Sequence, residues 1–137
     1  GIYNSRGDIV RAVMEGVALN IRWAFQSYLR FINHNIDYVI MGGGGAQSRI
    51  WPQILTDILN VRVITVRDPR YVTAKGAAML AAYGLGAITL NDIKSARQVD
   101  RVYEPSKDLR KLYEDKYLVF IKYYKNNEKF MKELNKS

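Results

Sequence analysis

Apolar residues recur at three- and four-residue spacing from Ile9 to Ile32: Ile9, Val10, Val13, Met14, Val17, Ala18, Ile21, Phe25, Leu29 and Ile32. That period predicts one long amphipathic helix over 8–33, with Asp8 as its N-cap and Asn33 to Asn35 as its end. Gly16 falls inside it, at a cost of about 1 kcal/mol relative to alanine, and implies close approach by another element. The period then changes. Ile36 to Met41 is short, β-branched and almost wholly apolar, the pattern of a buried strand. Four glycines, Gly42 to Gly45, end it. Ile50, Trp51, Ile54, Leu55, Ile58 and Leu59 then predict a helix over 48–59, with Ser48 as N-cap, Pro52 tolerated in its first turn and Asn60 closing it in the left-handed conformation.

Val61 to Val66 reads as a second strand, Arg67 to Arg70 as a turn, and Ala74 to Tyr83 as a third helix capped by Thr73 and ended by Gly84. Lys75, Gly76, Ala77 and Ala78 give this helix a very small face. Residues 85–108 are weakly patterned, a mixture of loop and a short turn near Ile93 to Ala96 for which Asp92 is the candidate cap. A last helix over 108–134 turns Leu109, Leu112, Tyr113, Tyr117, Phe120, Ile121, Tyr124, Phe130 and Met131 inward. Strands alternating with helices imply an α/β layer with parallel strands. Two strands make too small a sheet, so residues 1–137 read as a single partial domain whose βαβα centre is 36–84.

Composition narrows the classes. The chain is 48% hydrophobic, enough for a core, and has no cysteine, which excludes disulfides and thiol chemistry and fits a reducing, cytoplasmic setting. With His34 as the sole histidine, a zinc site is disfavoured. No apolar run reaches membrane-spanning length, so no membrane partner is expected. The first residues lack a starting methionine and a secretory pattern, from which a trimmed chain is expected. The net charge of +8 raises a nucleic-acid surface, but the basic residues are dispersed and no recognition motif accompanies them. A lysine-rich solvated surface is the simpler reading.

Strand, glycines, helix is the one arrangement here that carries chemistry. Glycines let a ligand reach the main chain, and the N–H groups at a helix start face anions. The segment lacks the Lys-Ser/Thr ending of a P-loop, and the next strand, Val61 to Val66, does not end on an acidic residue to hold a ribose. A nucleotide-binding bend and a plain tight turn both remain open on these residues.

Four segments taken together add a resemblance. Arg11-Ala12-Val13-Met14-Glu15-Gly16, Gly43-Gly44-Gly45-Ala46-Gln47-Ser48 followed by Trp51, Gln53, Ile54 and Asp57, Thr73-Ala74-Lys75-Gly76-Ala77-Ala78, and Tyr103-Glu104-Pro105 with Tyr113 and Tyr117 beyond it resemble, in order, the C-terminal half of the FGGY family of carbohydrate kinases, which includes xylulose, gluconate and glycerol kinases. The resemblance implies a partial ribonuclease-H-like domain of the actin and hexokinase type. It implies a cleft for ATP and sugar, with the γ-phosphoryl group passing to a sugar hydroxyl, xylulose being the best single choice. It places Gly43, Gly44, Gly45, Ala46 and Ser48 against the nucleotide. Arg49 stands where some relatives carry asparagine, either touching the base or facing solvent.

The resemblance also implies a partner, an N-terminal kinase domain that carries the catalytic aspartate and most of the Mg contacts. No catalytic residue is therefore assigned within this chain, and the isolated chain is expected to be inactive and prone to self-association. An actin-like regulatory module that binds nucleotide without a sugar effect is the alternative. Glu15 reads as a helix-capping or interdomain salt-bridge residue, Asp57 as structural, Trp51 as core or a wall of the bend, and the tyrosines of the last helix as a packing face.

Overall fold

The computed structural model describes residues 5–135. Helix α1 (Arg6–Ile32) begins three residues earlier than Asp8 indicates, because Ser5 is the N-cap and Asp8 is its reciprocal partner. The Asp8 amide donates to Ser5 Oγ at 3.2 Å and the Ser5 amide donates to Asp8 Oδ2 at 2.8 Å, a capping box that satisfies two orphan amides. Asn33 ends the helix in the left-handed conformation. Strand β1 (Tyr38–Met41), helix α2 (Trp51–Leu59) and strand β2 (Arg62–Val66) follow, and Asn60 closes α2 with φ of 54° as anticipated. Helix α3 (Val72–Gly84) starts at Val72 rather than after Thr73, because the 3₁₀ turn Pro69–Tyr71 runs straight into it.

The weakly patterned stretch is more ordered than its sequence indicates. Helix α4 (Leu90–Ser95) is capped by Thr89, with Asp92 again the reciprocal partner and not the cap. Strand β3 (Val99–Tyr103) joins the sheet, and helix α5 (Arg110–Leu134) follows a 3₁₀ turn at Lys107–Leu109. The sheet thus has three strands in the order β1-β2-β3, with β1 parallel and β3 antiparallel to β2. This corrects the expectation of two parallel strands. Val-Asp-Arg-Val-Tyr is mostly exposed, so its pattern shows no buried face, and only pairing with β2 makes it a strand.

One face of the sheet carries the core. Ala18 and Leu19 of α1, Ile54, Leu55, Ile58 and Leu59 of α2, Val63 of β2, and Tyr113 and Tyr117 of α5 pack into one cluster. The tyrosine face of α5 is therefore a packing face in its first half, and further along Tyr124 meets Trp23 edge to face at 4.7 Å between centroids. Gly16 has nothing within 4 Å of where a Cβ would stand, so no element approaches it among the described residues, contrary to expectation.

Two carboxylates, Asp57 buried and Glu15 partly buried, hold the layers together. Asp57 accepts from the Ser106 amide at 2.9 Å and from Gln53 Nε2 at 3.0 Å, fixing the link between β3 and α5 to α2. Asp57→Ala strands that amide and is expected to cost ~1–3 kcal/mol in urea unfolding, with faster hydrogen exchange at Ser106. Glu15 lies mid-helix, so it caps nothing. It joins α1 to α5 within the chain, accepting from Tyr113 Oη at 2.9 Å, Lys116 Nζ at 2.7 Å and Arg11 Nε at 3.0 Å.

Burial pushes the Glu15 carboxyl up, but the hydrogen bonds from Lys116, Tyr113 and Arg11 outweigh it and hold it below the ordinary value of 4.5. A depressed folded value means that the stabilisation is complete above the unfolded value and is lost as pH falls through the folded one. Thermal melting is thus expected to drop below about pH 4.5, and Glu15→Gln is expected to flatten that part of the acid limb.

Candidate functional site

The bend after β1 is built by contacts on both sides. Gly42 lies against α3: a Cβ there would stand 2.7 Å from Val72 Cγ2. Gly43 has φ of 82° and ψ of −175°, a region open in practice only to glycine. Its amide donates to the Pro69 carbonyl at 2.7 Å, tying the bend to the turn after β2. Gly44–Gln47 form a 3₁₀ turn with Ala46 buried beneath it. The Ala46 amide donates to the Gly43 carbonyl and the Ser48 amide to the Gly45 carbonyl, each at 3.2 Å. The Gly44 and Gly45 amides have no acceptor among the described residues, and both glycines are exposed. These are the open donors of the bend.

The start of α2 behaves differently from expectation. Ser48 does not cap a helix that begins beside it, because α2 starts at Trp51. Its Oγ instead accepts from the Ile50 and Trp51 amides, at 3.2 and 3.1 Å. The Ile50 and Trp51 amides are thereby occupied, whereas Gly44 and Gly45 of the glycine turn keep theirs open. Only the backbone geometry distinguishes the two, which is why the sequence pattern assigned that role to the helix start.

Beside the open amides lies a shallow apolar slot of about 290 Å³, lined by Val13, Met14, Val17, Gly45, Ser48 and Trp51. Trp51 is its wall: a Cβ on Gly45 would stand 2.8 Å from Trp51 Cδ1, so any larger residue at 45 would displace the ring. The contribution of α1 to this slot was missed by sequence reading. Its signal was present in the second apolar stripe of α1, since Val13 and Val17 are exposed while Ala18 and Leu19 are buried. Arg49 is exposed and has no ion-pair partner among the described residues. Lys75 lies 3.6 Å from Asp68 on the surface. His34 is an exposed residue just after α1.

Among the described residues nothing near the slot resembles a general base. Glu15 and Asp57 are committed to the hydrogen bonds described above. Among the described residues no group of three His, Asp or Glu side chains is disposed to hold a metal ion. No helix of the described residues is long and apolar enough to cross a membrane.

A small mixed sheet, helices packed on one of its faces and a glycine bend after the first strand define a partial α/β domain of the ATPase type, and comparison with solved structures shows the same fold. The chain belongs to the FGGY family of carbohydrate kinases, its residues 1–85 matching the family's C-terminal domain. A xylulose kinase of Staphylococcus epidermidis is 32% identical over 133 residues, which is 96% of this chain and 26% of that protein. Glycerol kinase 1 of Thermotoga maritima is 31% identical over 118 residues, 82% of this chain and 24% of that protein. The crystal structure of xylulose kinase from Rhodospirillum rubrum superposes with a TM-score of 0.77 at 28% identity, covering 95% of this chain and 26% of that one. The chain thus spans about a quarter of the length of these relatives.

Proposed function

We propose that these 137 residues are the nucleotide-facing part of an ATP-dependent carbohydrate kinase, one portion of a larger domain, whose whole protein transfers the γ-phosphoryl group of ATP to a sugar hydroxyl. The observation that carries this is the pair of unpartnered amides, Gly44 and Gly45, beside an apolar slot. Amides without acceptors suit phosphate or ribose oxygens, and an apolar wall such as Trp51 suits the flat face of a purine. Gly43, Ala46 and Ser48 shape the bend, and Arg49 stands at its rim. The residues present therefore fit a nucleotide. They do not fit magnesium, which is left to polypeptide beyond these residues, together with the aspartate that takes the hydroxyl proton. Xylulose is the favoured substrate, because relatives matching nearly the whole chain bear that name.

Titrating the isolated chain with ATP and following backbone amide resonances tests the site. Gly44 and Gly45 are expected to shift first and furthest, and unchanged resonances at millimolar ATP would refute the nucleotide reading. The chain alone is expected to release no ADP when xylulose is added, whereas its full-length parent does. Sugar-dependent ADP release by the chain alone would contradict the division of labour.

A further inference from the structure

The glycine bend is held from outside by the turn after β2, and that turn contains a residue in a costly conformation. Among the described residues three other than glycine have positive φ: Asn33, Asn60 and Asp68. Asn33 and Asn60 end helices, where a left-handed residue is ordinary. Asp68 ends none. It follows β2 with φ of 50° and ψ of 55°, directly before Pro69, although a following proline pushes its predecessor toward extended backbone. Such a conformation persists only where the surrounding contacts impose it.

Those contacts lie on both sides of Asp68. Upstream, the Arg67 amide donates to the Gln98 carbonyl at 2.9 Å, which fixes the end of β2 to the entry of β3. Downstream, the Tyr71 amide donates to the Asp68 carbonyl at 3.1 Å and closes the 3₁₀ turn. Pro69 then faces the bend, and its carbonyl accepts from the Gly43 amide at 2.7 Å. Val72 closes the same side, 2.7 Å from where a Cβ on Gly42 would stand. Because β1 and β2 are parallel, with Met41 paired to Thr65, the two loops leave the sheet side by side at its carboxyl edge, the edge at which open α/β sheets bind ligands.

Resting on the nucleotide reading of the bend, we propose that Asp68 is a positioning residue for ATP. Its left-handed backbone aims the Pro69 carbonyl at Gly43, and that hydrogen bond holds Gly44 and Gly45 with their amides open. Asp68 touches no ligand and acts through Pro69 and Gly43. Its carboxylate is not the active part: Oδ2 lies 3.6 Å from Lys75 Nζ in an exposed pair, which contributes little. Aspartate serves because it tolerates left-handed backbone, whereas a β-branched residue resists it.

A series of variants in the full-length kinase separates backbone from charge. Asp68→Val is expected to raise the KM for ATP about fivefold or more, with kcat and the KM for sugar changed by less than about twofold. Asp68→Gly adopts the conformation freely and is expected to keep the KM for ATP within about twofold of the parent, as is Lys75→Ala, which removes the ion pair alone. Without nucleotide, hydrogen–deuterium exchange of the peptide 42–47 is expected to quicken in Asp68→Val and not in Asp68→Gly. Equal rises in KM for Asp68→Val and Asp68→Gly would assign the effect to the carboxylate and overturn the proposal. So would unchanged exchange in Asp68→Val, or a loss spread evenly over kcat and both KM values, the mark of a weakened fold. If Asp68→Val does not fold, Val72→Ala tests the clamp from its other side: quicker exchange of 42–47 and a raised KM for ATP are expected, and no change in either refutes the clamp. Gly44→Ala reports on the nucleotide reading alone. A raised KM in Gly44→Ala but not in Asp68→Val refutes the role of Asp68 and leaves nucleotide at the bend, whereas no rise in either refutes both.

Discussion

Replacing Gly44 by alanine in the full-length kinase is expected to raise the KM for ATP about tenfold or more, equivalent to ~1.4 kcal/mol or more of lost binding, while thermal melting barely moves. A Cβ at Gly44 meets nothing within 4 Å, and Gly44 does not have positive φ, so the folded chain tolerates the methyl. The methyl stands instead in the space where the open amides face a ligand. Gly43→Ala separates binding from folding in the opposite sense. Its cost comes from φ of 82°, a strain of ~1–3 kcal/mol for a residue with a side chain, and it appears in melting as well as in KM. Equal loss of melting temperature in both variants, or an unchanged KM in Gly44→Ala, would remove the reason for placing nucleotide at this bend.

The largest stability effect is expected at Tyr113. Its ring is 1% exposed in the core, and its hydroxyl accepts from Arg11 Nη2 at 3.0 Å while donating to Glu15. Burial, offset by the Arg11 hydrogen bond and reinforced by Glu15, raises the phenol above its ordinary value of 10.0, so it stays a donor at neutral pH. Tyr113→Ala removes the ring at a cost of ~3–5 kcal/mol and takes one of three donors from Glu15. Against a typical domain stability of ~5–15 kcal/mol, that is between about a fifth and the whole of it. Tyr113→Phe keeps the packing and is expected to cost only ~1–2 kcal/mol. Urea midpoints of the two variants separate the ring from the hydroxyl, and a Tyr113→Phe loss as large as that of Tyr113→Ala would show that the Glu15 network, not the packing, holds α5 in place.

Both effects lie where local pattern meets tertiary contact, and the two levels were legible to different degrees. The long helices, β1, β2 and the Asn60 stop follow from apolar period and turn chemistry, which act over a few residues. The glycine bend was legible as a position because only glycine accepts the backbone that Gly43 adopts. Helix starts were displaced by a few residues where a cap works reciprocally. Asp8 and Asp92 have the composition of caps but sit at the third helical position, and Ser5 and Thr89 hold the ends.

What the chain could not reveal alone was anything that depends on a distant partner. β3 has no buried face and becomes a strand through its hydrogen bonds to β2. The antiparallel course of β3, the link from Glu15 to Tyr113 and Lys116, 98 and 101 residues away, and the seating of Ser106 on Asp57 exist only in three dimensions. The same holds for the candidate site. The sequence determined that glycines follow a short apolar strand, which was expected to be buried and which the structure leaves half-exposed, with Tyr38 and Ile40 open on one face. The tertiary structure decided that Ser48 occupies the Ile50 and Trp51 amides, that Gly44 and Gly45 keep theirs open, and that α1 lends Val13 and Val17 to the slot beside them. Backbone conformation is encoded within a few residues, whereas which donors stay unsatisfied depends on everything that folds around them.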